Sequence, residues 1–362
     1  MKKVIFRLLP ALFLLLASVQ VSAQTWNSAA AKKQAVKLQK RLAKLNKKGY
    51  MYGHQDDPFY GLTWEWDYGK SDVVATVGDY PAVMGFELGG IELADKKSLD
   101  SVPFTRIREE VIAHHKRGGI ITISWHPRNP LTGGTAWDVT SNEVVKSILP
   151  GGSQAAKFGV WMMRMRDFLK SLRTEDGTPI PVIFRPWHEN NGSWFWWGQT
   201  LCTDEEYHAL WNMLQDYLTD AGLLNLVWSY SPNLDGGWTK ERFLARYPGN
   251  DRVFLIGEDA YQWGTEKDFV SGLTADLDFI SKFAGENGKL YAMTECGIQN
   301  NPVADWYTRV LKPIMDNYSL SYFLNWRNAA KEYFGPAPSL SCADDFRKLY
   351  EAKNTLFLKE IK

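Results

Sequence analysis

The sequence predicts an α/β protein built as a single (β/α)8 TIM barrel, on three observations: eight short apolar runs of strand length, helical patterns between them, and no linker dividing the chain. The runs are "MYGHQDD" from Met51, "AVMGFELGG" from Ala82, "IITISWHP" from Ile120, "PVIFRPWHEN" from Pro181, "LVWSYSPN" from Leu226, "VFLIGEDAY" from Val253, "LYAMTECG" from Leu290 and "SYFLNWRN" from Ser321. Each is rich in β-branched or aromatic residues. Among the intervening helical patterns are "FTRIREEVIAHHKRGG", "AKFGVWMMRMRDFLKSLR", "TDEEYHALWNMLQDYLTDAG" and "VADWYTRVLKPIMDNY". The third opens with a capping box, Thr203 followed three residues later by Glu206, and stops at Gly222. No Pro/Ser-rich linker, low-complexity tract or repeat interrupts the alternation. A doubly wound open sheet is the competing arrangement, but the first strand lacks the Gly-rich phosphate turn of such folds.

The first 23 residues carry Lys2, Lys3 and Arg7, the apolar run "LLPALFLLLASVQV" and then "VSAQ", the pattern of a secretory signal cleaved after Ala23. Residues 24–362 are then the barrel domain. The apolar run is short for a membrane anchor, and no cysteine follows the cleavage point, so a periplasmic or released monomer is expected, with no membrane insertion of the mature chain. Removing Lys2, Lys3 and Arg7 from 42 basic and 41 acidic residues leaves 39 against 41, a balance that does not suit a nucleic-acid partner. Cys202, Cys296 and Cys342 allow at most one intramolecular disulfide.

A barrel places its reactive side chains at the C-terminal ends of the strands. Here those ends read His54-Gln55-Asp56-Asp57, Glu87, Trp125-His126, His188-Glu189-Asn190, Ser231, Glu258-Asp259-Ala260-Tyr261, Thr294-Glu295 and Asn325-Trp326-Arg327-Asn328. Taken singly, Asp56, Glu87 or Ser231 reads as a turn former or loop hydrogen bonder. The ring as a whole resists that reading, because carboxylates ending strands four and seven face each other across the mouth. Two carboxylates so placed are the equipment of a retaining glycosidase, which needs them about 5 to 5.5 Å apart. The stretch "RPWHENNGSWFWWGQT", Arg185–Thr200, supplies the rest. Aromatic rings are platforms for the C–H face of a sugar, and a glutamate among them stays protonated toward neutral pH. Of Trp194, Phe195, Trp196 and Trp197, one or two are expected to line the cleft and the others to pack the loop.

"RPWHENNGSWFWW", "EDAY", "YAMTECG" and "NWRN", at the ends of successive strands, resemble the motifs of family 26 glycoside hydrolases, the β-mannanases of the (β/α)8 glycosidase clan. That resemblance spans essentially the whole chain after residue 23, and its His-Glu after Arg-Pro is its most specific element. By position, Glu189 resembles the acid/base and Glu295 the nucleophile. His188 resembles the residue packed beside the acid/base, and Trp194 the aromatic lining the cleft near it. Asp259 and Tyr261 resemble a pair in which the tyrosine hydroxyl contacts the nucleophile and the aspartate contacts sugar. Trp326 resembles the floor of the −1 subsite, Arg327 a sugar contact beside it, and His126 a hydrogen bonder on the glycone side. The implied substrate is β-1,4-linked mannan, glucomannan or galactomannan; relatives that cleave mixed-linkage β-glucan or β-1,3-xylan keep those open. No cofactor or metal is implied, and hydrogen bonds from Tyr261 or a nearby arginine are expected to keep Glu295 ionised.

Two other classes compete. His54, His126 and His188 with Asp56, Asp57 and Asp259 could furnish a metal-dependent hydrolase, although "GHQDD" offers one histidine where such sites usually have two. A carbohydrate-binding protein without catalysis would have no need of both glutamates. Finally, "LGGIELADKKSLDSVP" and Arg128–Ser153 are long for βα connections, so they are expected to wall one end of the cleft and favour short products, disaccharide above all.

Overall fold

A computed structural model describes residues 25–362, so the expected signal segment and its cleavage point lie outside the described residues. Eight parallel strands close into a ring: β1 (Tyr50–Gln55), β2 (Val83–Glu87), β3 (Ile120–Trp125), β4 (Val182–Pro186), β5 (Leu226–Tyr230), β6 (Leu255–Tyr261), β7 (Leu290–Gly297) and β8 (Tyr322–Asn325). Closure comes from β8 pairing in parallel with β1, Met51 opposite Tyr322 through His54 opposite Asn325. Seven of the eight expected runs contain their strands, β1 beginning one residue before its run at Tyr50, and the single (β/α)8 barrel holds.

Alternation along each strand divides the core in two. Met51, Val83, Ile120, Ile183, Val227, Leu255, Ala292 and Leu324 form one cluster with Leu38, Leu42 and Leu45 of the N-terminal helix Ser28–Leu45 and with Leu356 and Leu358 near the C-terminus. Their neighbours, among them Phe86, Ile123, Phe184, Trp228, Ile256 and Phe323, join the apolar faces of the surrounding helices in a second, larger cluster. The base of the barrel is thus closed by apolar side chains, and its opposite mouth is left to polar ones. Thr355–Leu356 adds a short parallel strand beside the start of β1, and Asn328–Ala329 pairs with Glu332–Tyr333 in a small hairpin after β8.

The helical patterns appear at Phe104–Arg117, Ala155–Ser171 and Asp204–Asp220, the last with its capping box formed by Thr203 and Glu206. "VADWYTRVLKPIMDNY" departs from expectation. It forms a π-helical stretch, Trp306–Leu311, and a short α-helix, Lys312–Met315. Pro313 has no N–H to give to the turn before it, and the ladder widens there. All three cysteines are buried free thiols. Among the described residues, no helix is long and apolar enough to cross a membrane.

Candidate active site

The mouth of the barrel opens into a cleft of about 530 Å³ whose lining includes His126, His188, Glu189, Trp194, Tyr261, Glu295, Trp326 and Arg327. Eight of the nine residues singled out from sequence therefore meet in one place, drawn from the ends of β3, β4, β6, β7 and β8.

The segment after β4 is held in an unusual backbone. Trp187 and Glu189 have φ of 53° and 52°, the left-handed region that costs a non-glycine residue about 1–3 kcal/mol. Hydrogen bonds hold it at every step. The Trp187 carbonyl accepts from Tyr207 Oη at 3.0 Å, the His188 carbonyl from Trp197 Nε1 at 2.8 Å, and the Glu189 N–H donates to the Ser231 carbonyl at 2.7 Å. The Trp187 ring is buried against Trp125, Phe158, Trp196 and Trp197. Of the aromatic run, Trp196 and Trp197 pack the loop while Trp194 and Phe195 reach the cleft, Trp194 remaining 40% exposed. Gly192 makes room for this fold-back, since a Cβ there would lie 2.4 Å from the Trp194 ring. The Trp194 indole N–H donates to Glu189 Oε2 at 2.6 Å.

Glu189 and Glu295 occupy different electrostatic settings. Burial, reinforced by the neighbouring Glu295 charge, pushes Glu189 up to about 7, the Trp194 bond opposing. Glu295 instead receives donors on both oxygens: Arg185 at Oε1 and, at 2.6 Å, the Tyr261 hydroxyl at Oε2. That Tyr261 contact is the one the resemblance implied. Arg185 also bridges to Asp259 at 2.8 Å, and Asp259 takes a second bond from Thr294 Oγ1 at 2.7 Å. Burial raises Asp259 while Arg185 pulls against it.

Asp259 departs from the expected sugar contact. It is fully buried beneath the cleft, is not among its lining residues, and spends both oxygens on Arg185 and Thr294. From that position it orients the guanidinium that reaches Glu295. Arg327, which could have paired with Glu295, faces Asp100 and Glu332 instead, each at 3.5 Å.

A second relay flanks Glu189. Glu87 accepts from the His126 backbone at 2.7 Å, from Ser124 Oγ at 2.6 Å and from Gly89 N–H at 2.6 Å, while its Oε2 meets His126 Nδ1 at 2.9 Å. Burial disfavours charge on His126, but the Glu87 carboxylate overrides it and raises the imidazole. Burial and the facing His126 lower His188, and the two rings meet at 2.9 Å, Nε2 to Nε2. Glu87 is thus a buried loop hydrogen bonder that also fixes the His126 ring.

The histidine-rich metal set does not assemble. His54 lies near Asp57 at 3.4 Å and Asp56 accepts from Tyr60 at 2.8 Å, apart from the His126–His188 pair. Among the described residues the one cluster with ligand-like spacing is His188, Asp259 and Glu295, and both of its carboxylates already hold the Arg185 guanidinium. A cation there would have to displace that charge.

Sequence reasoning passed over Arg185, Asp100, Trp137, Asn233, Trp263 and Phe334, which line or support the same cleft. Arg185 carried a signal, a charge inside an otherwise apolar strand. Asp100 and Trp137 lie on the two long loops expected to wall the cleft, and Asn233, Trp263 and Phe334 sit on loops whose approach to it no periodicity encodes.

With this geometry in place, comparison with known proteins places the chain. Residues 27–336 match the model of Glycosyl hydrolase family 26. The chain belongs to that family. As a family 26 glycoside hydrolase it is similar in structure to a β-mannanase from Bacteroides ovatus, at 43% identity and a TM-score of 0.88, covering 90% of this chain and 95% of that one. It also resembles a modular endo-β-1,4-mannanase from Cellulomonas fimi, at 32% identity and a TM-score of 0.82 over 92% of this chain and 76% of that one. A mannan endo-1,4-β-mannosidase of Bacillus subtilis is 28% identical over 86% of this chain and 80% of its own length. Against the Bifidobacterium adolescentis enzyme of the same name the identity is 31% over 72% of this chain, which spans 28% of that longer protein.

Proposed function

We propose that this family 26 hydrolase cleaves β-1,4-mannosidic linkages with retention at the anomeric carbon, Glu295 acting as nucleophile and Glu189 as acid/base. The observation that carries this reading is the asymmetry of the two carboxyl groups on one aromatic cleft: Glu189 keeps its proton to about 7, whereas both Glu295 oxygens accept from donors. Glu295 attacks the anomeric carbon of a sugar lying over Trp326, and Glu189 gives its proton to the departing glycosidic oxygen. The resulting ester neutralises Glu295. Its charge is one of the causes holding Glu189 up, so Glu189 then loses affinity for a proton and takes one from the incoming water. Water cleaves the ester, Glu295 leaves as carboxylate and the cycle closes. The mannan-acting relatives support the choice of sugar.

Product profiles on β-1,4-mannan, mixed-linkage β-glucan and β-1,3-xylan test the substrate, with the β-anomer expected first by NMR. Immediate appearance of the α-anomer would remove Glu295 from its role. We place the glycone at the end of the cleft where Leu99 and Asp100, after β2, meet Arg327, after β8. A wall there leaves space for few sugars, and disaccharide is the expected main product. A ladder of lengths at early times would oppose that. The sequence signal supports export to the periplasm or beyond, checked by the N-terminus of the mature protein.

The pH dependence follows from the same proton. A raised carboxyl group is a competent acid below its pKa, so kcat/KM falls as pH rises through about 7. The Trp194 bond favours the charged form of Glu189. Trp194→Phe therefore moves the alkaline limb to higher pH, and a limb that stays in place or moves down would detach it from Glu189.

A further inference from the structure

Around the ring of strands, the cleft residues divide into two groups. Leu99 and Asp100 after β2, Trp137 after β3 and Arg327 after β8 stand on one side; Trp194 after β4, Asn233 after β5 and Trp263 after β6 stand on the other. The Asp100–Arg327 pair closes the first side. With the nucleophile's sugar over Trp326, next to Arg327, its non-reducing extension runs toward that wall. A polymeric leaving group must depart the other way, past the acid that protonates it.

Trp263 stands on that departure side. It is 65% exposed, yet it is not loose: its indole stacks on Tyr261 at 5.4 Å and 28° and meets Phe334 edge-on at 6.0 Å and 83°. A large apolar ring fixed by two neighbours and left mostly uncovered loses hydrophobic stabilisation in the free protein and little rotamer entropy when something covers it. Asn233 is fixed as firmly. Its backbone N–H and carbonyl both bond the Asn191 amide at 2.8 Å, which ties it to the segment bearing Glu189. The following loop is anchored by the buried Asp276 carboxylate, which accepts the backbone N–H groups of Asp235, Gly236, Gly237 and Trp238 at 2.6 to 3.0 Å.

We infer that Trp263 and Asn233 form the binding site for the leaving-group sugar, the indole covering the C–H face of a β-linked hexopyranose and the Asn233 amide bonding its hydroxyls. This rests on the orientation given by the proposed nucleophile and acid. The site makes Trp263 a specificity residue for oligosaccharide leaving groups, and it binds acceptor sugars as well as departing ones.

The test compares two substrates in the full-length enzyme: a linear oligosaccharide of the sugar the wild type cleaves, and the disaccharide fluoride of that sugar, whose leaving group is a fluoride ion. For Trp263→Ala, the ratio of kcat/KM on oligosaccharide to that on fluoride is expected to fall roughly tenfold, the scale of one aromatic contact. Trp263→Phe should recover much of it. Transfer of the glycosyl group to added disaccharide, relative to water, should fall in parallel, and Asn233→Ala should lower the same ratio. Equal losses on both substrates would mean that Trp263 acts only by supporting Tyr261, and an unmoved ratio would mean that it carries no sugar; either overturns the inference. The ratio is read on whichever β-linked sugar the enzyme hydrolyses, so a wrong sugar identity shows itself separately, in the wild-type product profile.

Discussion

Glu295→Ala is expected to lose activity on every substrate, by roughly 10⁴-fold or more, because no leaving group is good enough to replace the missing attack on the anomeric carbon. Aryl mannosides should be no exception. The protein should stay folded, since Arg185 keeps its 2.8 Å bond to Asp259 when Glu295 is gone. Circular dichroism and the thermal midpoint check that. Stereochemistry then identifies the role. In this variant azide can enter only from the face Glu295 vacated, a single displacement that inverts and gives the α-glycosyl azide from a β-glycosyl fluoride. A β-azide, or residual turnover within tenfold of wild type, would require another nucleophile.

Glu295 was legible because its chemistry forces its place. A strand buried on both faces can hold a carboxylate only at its polar end, and "YAMTECG" has one. The aromatic run after Glu189 was legible for a similar reason, since four large rings in a row cannot all be buried by one loop. Their division was also foreseeable, and Trp196 and Trp197 went inward while Trp194 stayed 40% exposed. Asp259 shows where position fails. Strand ends near the mouth look alike in sequence, but the register shift between Glu258 and Asp259 in the β6–β7 pairing is a property of two strands side by side. Arg185 then draws the carboxylate beneath the cleft. Pairings such as Arg327 with Asp100, or Trp263 with Phe334, join loops from distant segments. Their existence depends on loop path, which hydrophobic periodicity does not record.

His126 and His188 read, with His54, Asp56, Asp57 and Asp259, as a competing metal set because they end strands. What decides against that use is the neighbour of His126. Glu87 fixes His126 with a hydrogen bond at Nδ1 and His126 points its Nε2 at His188, so both nitrogens of His126 are taken beside Glu189. Histidine count alone could not distinguish this relay from a ligand set, since both need buried imidazoles with a carboxylate behind them.

Glu189→Ala separates the two glutamates most sharply. Its loss removes the proton donor for departure, which matters for a sugar alkoxide and little for an acidic phenol. On β-mannan the variant should lose roughly 10²- to 10⁴-fold in kcat/KM, the usual contribution of a general acid. On an activated aryl mannoside the first step should survive while the second, lacking its base, slows, so phenol appears in a burst equal to the enzyme present. Azide needs no base to attack the accumulated ester. It should accelerate turnover and, arriving after Glu295 has already inverted the centre once, give the β-glycosyl azide, opposite to the Glu295 variant. The alkaline limb near 7 should disappear from the first step, because the group that titrates there has been removed. Equal inactivity on mannan and aryl substrate, with no burst and no azide product from a folded protein, would move the acid/base role to another residue.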